Sequence, residues 1–121
     1  MSILANSLVA LTAILHIGFL VLEMFLWTKP QGLKVFRMSP QQAEATKVLA
    51  ANQGLYNGFL AAGLFWSLVA TPPEFGLQLK LFFLVCVVVA AIYGAWSVHP
   101  RILLVQGGPA IAALLFILLA S

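Results

Sequence analysis

Four stretches of this chain are too apolar, for too long, to be covered by anything but lipid. From Ile3 to Trp27 the one charged side chain is Glu23, and from Phe75 to Val98 it is Lys80. Between Val48 and Ala70, and again after Arg101, there is none. A membrane-crossing helix needs about 20 mostly apolar residues, and each stretch supplies them. Only 7% of the 121 residues are charged, against about 25% in a soluble domain, so no water-facing surface can be built. The fold class that follows is all-α: a polytopic membrane protein forming an antiparallel four-helix transmembrane bundle. One domain, residues 1–121, is expected, with spans over about 3–27, 48–70, 77–98 and 101–120.

The first run carries no Lys or Arg before Lys29 and continues past Glu23, which reads as a retained span rather than a signal peptide. Residues 28–38 read as a polar loop. Ser39-Pro40-Gln41-Gln42 is a helix start, with Ser at the N-cap, Pro at the first helical position and Gln at the third. Helix 2 therefore begins near residue 40, ahead of its span. Along it Ala50, Gly54, Gly58 and Ala62 recur every fourth residue, a small-residue stripe of the kind that lets membrane helices approach closely. That stripe is the basis for expecting a homo-oligomer. Ala90/Gly94 and Ala91/Ala95 predict another close contact. Pro109 falls within the fourth span and predicts a break there, because proline removes an amide donor.

The basic residues fix an orientation. Lys29, Lys34, Arg37, Lys47 and Arg101 fall on one side, and Lys80 with Glu74 on the other. The positive-inside rule puts the basic side in the cytoplasm and both termini outside. The net charge of +3 is thus a topology signal, and no nucleic-acid partner is expected. The lipid bilayer is the expected surrounding. Cys86 is the sole cysteine, which excludes a disulfide within the chain and reads as a buried structural residue. No metal site is expected.

Depth then gathers the polar residues. Glu23 on helix 1, Asn52, Gln53, Tyr56 and Asn57 on helix 2, Tyr93 on helix 3 and Gln106 on helix 4 all fall in the cytoplasmic half-layer. His16 lies near the midplane, about 10 Å along the axis from Glu23 and on the same helix face. Amides in membrane helices often only glue helices together, at about 0.6 kcal/mol per bond. An acid within a span is costly enough to suggest a function, so Glu23 is the acid–base candidate, with His16 second. For His16 a hydrogen-bonded core role and a metal-ligand role stand beside the catalytic one. Asn52, Gln53, Tyr56, Asn57, Tyr93 and Gln106 are the ligand-binding candidates. His99 reads as a solvated turn residue, and Trp27, Trp66 and Trp96 as interfacial belt residues.

Several blocks carry a resemblance: Leu15-His16, Leu22 through Trp27, Asn52 through Leu64, Tyr93-Gly94, and Gln106-Gly107-Gly108-Pro109-Ala110. They resemble a family of small four-span membrane proteins catalogued as a domain of unknown function, number thirteen hundred and four. The resemblance implies a multi-pass protein of the plasma (inner) membrane and assigns no activity. More distantly, Asn52 is similar to the helix-2 asparagine of the membrane-associated eicosanoid and glutathione family, although that family's Arg-x-His-x-Asn-x-x-Glu spacing is absent. Styrene oxide isomerase, another small four-span protein, suggests haem, with His16 as the axial ligand.

The leading expectation is a pocket in the cytoplasmic half of the bilayer that binds or acts on a small amphipathic or apolar molecule. The alternatives are a non-enzymatic scaffold or accessory subunit whose polar layer fixes helix packing, a haem-binding isomerase-like protein, and a transporter using Glu23 and His16 as a proton relay. No reaction and no cofactor follow from the residues.

Overall fold

The computed structural model describes residues 3–120. Among them are five helices and no strand: α1 (Ile3–Met24), α2 (Pro30–Phe36), α3 (Pro40–Val69), α4 (Pro73–Ser97) and α5 (Arg101–Leu119). Three of these, α1, α4 and α5, are long and apolar enough to cross a membrane. They bury only 28%, 28% and 22% of their most apolar stretches within the chain. The remaining apolar surface, including Leu104, Leu118 and Leu119, would be unsupportable in water and suits a membrane protein. The 30-residue α3 is long enough but is not among the three, because Asn52, Gln53 and Asn57 dilute its apolar character.

Helix starts follow local chemistry. Ser39 and Gln42 form the expected capping box: the Gln42 N–H donates to Ser39 Oγ at 3.1 Å, and the Ser39 N–H donates to Gln42 Oε1 at 2.9 Å. Two amides that lack an intrahelical acceptor are thereby satisfied. Proline opens α2 and α4 in the same way, at positions where the missing N–H costs nothing. Three expectations need correction. Helix α1 stops at Met24 rather than Trp27. The segment read as loop contains α2, whose seven residues are too few for periodicity to register. Helix α5 also runs through Pro109 without ending. One amide is lost there, whereas leaving the helix would strip several backbone groups of partners.

The chain divides into two compact units. The first comprises residues 1–15 and 60–121, the second residues 16–59. Within the first, segments of four helices share one apolar core: Ala5, Val9 and Ala13 of α1, Leu64 of α3, Leu84 and Val87 of α4, and Ala110, Ala113 and Ile117 of α5. These recur at three- and four-residue spacing, so each set lies on one helix face. Alanine dominates because small side chains let helix backbones approach. At the α4–α5 contact a Cβ on Gly94 would lie 2.9 Å from Ile102 Cγ2, and one on Gly107 3.0 Å from Ala91 Cβ. Of the pairs expected to pack closely, Ala90/Gly94 and Ala91/Ala95, one member of each, Gly94 and Ala91, makes a close contact there, while Ala90 is exposed. Thr12 and Ser67 are buried but return their hydroxyls to the helix carbonyls of Leu8, at 2.8 Å, and Leu64.

Within the second unit, the C-terminal part of α1 crosses the first half of α3. A Cβ on Gly54 would lie 2.7 Å from Met24 Cγ, 3.1 Å from Glu23 Cβ and 3.3 Å from the Leu20 carbonyl oxygen. One on Gly58 would lie 2.7 Å from Leu20 Cδ1. The two glycines therefore close α3 onto α1 of the same chain. Helix α2 folds back on the turn after α1, where a Cβ on Gly32 would lie 2.1 Å from the Leu26 carbonyl oxygen. The ring of Phe36 then packs on Trp27, 4.7 Å between centroids.

Candidate functional site

The site is built where α1 ends. Glu23 falls in the last turn of α1, closer to the helix end than the sequence suggested, and is only 4% exposed. Opposite it on α3 stands Asn57, also buried. The close approach allowed by Gly54 and Gly58 brings them together, and Asn57 Nδ2 donates to Glu23 Oε1. A carboxylate held this way keeps one oxygen engaged. Among the described residues Oε2 has no partner, yet it is not sealed, since the one buried side-chain atom left without a partner is Asn6 Oδ1. Oε2 therefore borders open space.

Glu23 also lines a cavity of about 440 Å³ whose walls come from both sides of the crossing. The last turn of α1 and the turn after it give Glu23, Met24, Phe25, Trp27 and Thr28; α3 gives Lys47, Val48, Ala51, Asn52 and Leu55. The α3 residues recur at three- and four-residue spacing, forming a stripe beside the Gly54–Gly58 stripe. Trp27 is held by a hydrogen bond from its Nε1 to Thr46 Oγ1 at 3.0 Å. Thr46 in turn donates to the Gln42 carbonyl at 2.8 Å. Lys47 pairs with Glu44 on the exposed face of α3. The arrangement thus combines one buried acid, an amide at the wall, and an apolar and aromatic lining. It could hold a molecule with a polar head and an apolar body.

The sequence candidates separate accordingly. Glu23 and Asn57 are bonded, and Glu23 and Asn52 line the cavity. Gln53 and Tyr56 are exposed, and the Tyr56 ring rests edge-on against Phe59 with centroids 5.7 Å apart. His16 is fully buried, with its ring 5.3 Å from that of Phe19, and does not line the cavity. Tyr93 and Gln106 belong to the other unit, on α4 and α5. Tyr93 is exposed there and tilted against Trp96. No three His, Cys, Asp or Glu side chains gather among the described residues. Sequence reasoning missed the cavity-lining role of Trp27 and Lys47, and Thr46 altogether. Trp27 carried the signature of a belt residue, and the periodicity of Val48, Ala51, Asn52 and Leu55 was the available signal.

Comparison with known proteins gives a family and names no chemistry. A relative from Lactococcus lactis subsp. lactis (strain IL1403), "Uncharacterized protein YpaA", is 32% identical over 117 residues, covering 95% of this chain and 97% of its own length. No solved structure matches. The model of the family described as "Protein of unknown function (DUF1304)" matches residues 10–118, a range that contains both the α1–α3 crossing and the cavity, and the chain belongs to that family.

Proposed function

We propose that this protein crosses the plasma membrane four times, with its basic connections in the cytoplasm and both termini outside. It binds a small amphipathic molecule in the cavity beside Glu23. Helix α3 supplies the fourth crossing: Asn57 is satisfied by Glu23, and Leu60 to Val69 are almost wholly apolar. The orientation rests on Lys29, Lys34, Arg37, Lys47 and Arg101, which the positive-inside rule assigns to the cytoplasm.

One observation carries the binding reading: a buried acid, bonded on one oxygen and open on the other, borders a cavity of about 440 Å³. That volume lies within the roughly 300–1,000 Å³ typical of small-molecule sites. Glu23 anchors the head or exchanges a proton with it, Asn57 orients Glu23, and Asn52 contributes a second polar contact. The packing of Gly54 and Gly58 against α1 favours a second reading, in which the Glu23–Asn57 bond only pins the two helices as part of a scaffold.

Glu23→Gln and Asn57→Leu separate the two when each variant is purified in mild detergent. Thermal unfolding and native mass spectrometry of co-purifying small molecules are then compared with wild type. Variants that keep wild-type stability but lose a co-purified molecule support the site. Wild type that carries nothing, with both variants melting early, supports the scaffold. A homo-oligomer can no longer rest on Gly54 and Gly58, and light scattering in the same detergent decides it.

A further inference from the structure

The electrostatics of the cavity narrow the class of molecule it would take, on the reading of the cavity as a ligand site. The buried Glu23 lines it and has one carboxylate oxygen without a partner among the described residues. Its floor is also the C-terminal end of a 22-residue helix, since Glu23 and Met24 close α1 and Phe25, Trp27 and Thr28 follow. The last carbonyls of a helix lack intrahelical donors and together carry roughly half a negative charge. Within the turn, Val21 O accepts from both Phe25 and Leu26, at 3.0 and 3.1 Å. This crowding of donors on one acceptor leaves the helix end short of compensation. Phe25 and Trp27 are also in the lining, and aromatic rings attract cations.

Set against these is one cationic side chain in the lining, Lys47, and Glu44 already neutralises it. Lys29, Lys34 and Arg37 are exposed and do not line the cavity. An anionic head would meet the carboxylate and the helix end together. A neutral head would gain little from either. The geometry points to an amphipathic monocation as the ligand: an alkylammonium or quaternary ammonium head set against Glu23, with its apolar tail along Val48, Ala51 and Leu55.

The test uses the full chain carrying Trp66→Phe and Trp96→Phe, so that the emission of Trp27 reports on the cavity. Three probes of equal chain length are titrated in nonionic detergent: octylammonium, octanol and octanoate. Octylammonium is expected to shift the emission saturably, with octanol at least about tenfold weaker and octanoate weaker still, as a hydrogen bond to a charged group implies. Glu23→Gln keeps an oxygen for Asn57 to bond, and it lowers octylammonium affinity by about tenfold while leaving octanol within about twofold. Lys47→Met removes the one cationic side chain of the lining and raises octylammonium affinity, a result that does not depend on Glu23→Gln folding. Equal binding of octylammonium and octanol, or tighter binding of octanoate, overturns the cation and leaves the site standing. Absence of saturable binding by all three overturns the site itself.

Discussion

The contact between α1 and α3 that creates the cavity is testable through three glycines in different surroundings. Replacing Gly54 by alanine places a methyl group 2.7 Å from Met24 Cγ, 3.1 Å from Glu23 Cβ and 3.3 Å from the Leu20 carbonyl oxygen. Two of those neighbours are backbone or next to it and cannot swing aside, so the helices must separate. Overpacking of this kind costs about 1–3 kcal/mol, and the alanine recovers up to about 1 kcal/mol of helix propensity. A net loss near 1–2 kcal/mol is the expected balance of these two terms. At Gly58 the single clash is with Leu20 Cδ1, the end of a flexible side chain. Its rotation makes Gly58→Ala close to neutral. At Gly18 nothing lies within 4 Å, so Gly18→Ala gains about 0.5–1 kcal/mol from propensity alone. The stability order is Gly18→Ala above wild type, Gly58→Ala near it and Gly54→Ala below. Reversible unfolding in mixed micelles, followed by circular dichroism as the fraction of denaturing detergent rises, measures it. Gly54→Ala matching Gly18→Ala would refute the close crossing, and with it the origin of the cavity.

Two further outcomes follow from the same unit. Gly32→Ala sets a methyl group 2.1 Å from the Leu26 carbonyl oxygen, so α2 must lift off the turn; limited proteolysis should then cut within Pro30–Phe36 faster than in wild type. Thr46→Val removes the acceptor of the Trp27 indole and should cost about 1 kcal/mol, with a change in Trp27 emission when it is the only tryptophan; unchanged emission argues against that bond.

How much of this was legible in the sequence differs from residue to residue. The capping box at Ser39 and Gln42 could be read directly, because its reach is three residues and depends on nothing distant. That α4 packs closely could be read as well, from its small residues, although its partner α5 and the pairing of Ala91 with Gly107 and Gly94 with Ile102 could not. The stripe at Gly54 and Gly58 was legible as a contact, but its partner was not. A stripe states that a helix approaches and says nothing of whether that helix belongs to the same chain. Depth placed Glu23 and Asn57 in one layer and could not choose between them and Gln53 or Tyr56, which the fold leaves exposed.

What the sequence determined by itself is therefore the class of the molecule. Apolar runs of membrane length, four of them expected and three of the resulting helices meeting the requirement, leave helices in lipid as the available structure. Which of the candidate residues come together was decided by tertiary structure. Glu23 becomes distinctive only because Gly54 and Gly58 let α1 and α3 come close enough for Asn57 to reach one of its oxygens. Glu23 then lines a cavity that neither helix has alone. Helix periodicity is local and can be counted along a chain, whereas a hydrogen bond between residues 34 positions apart depends on how two helices cross.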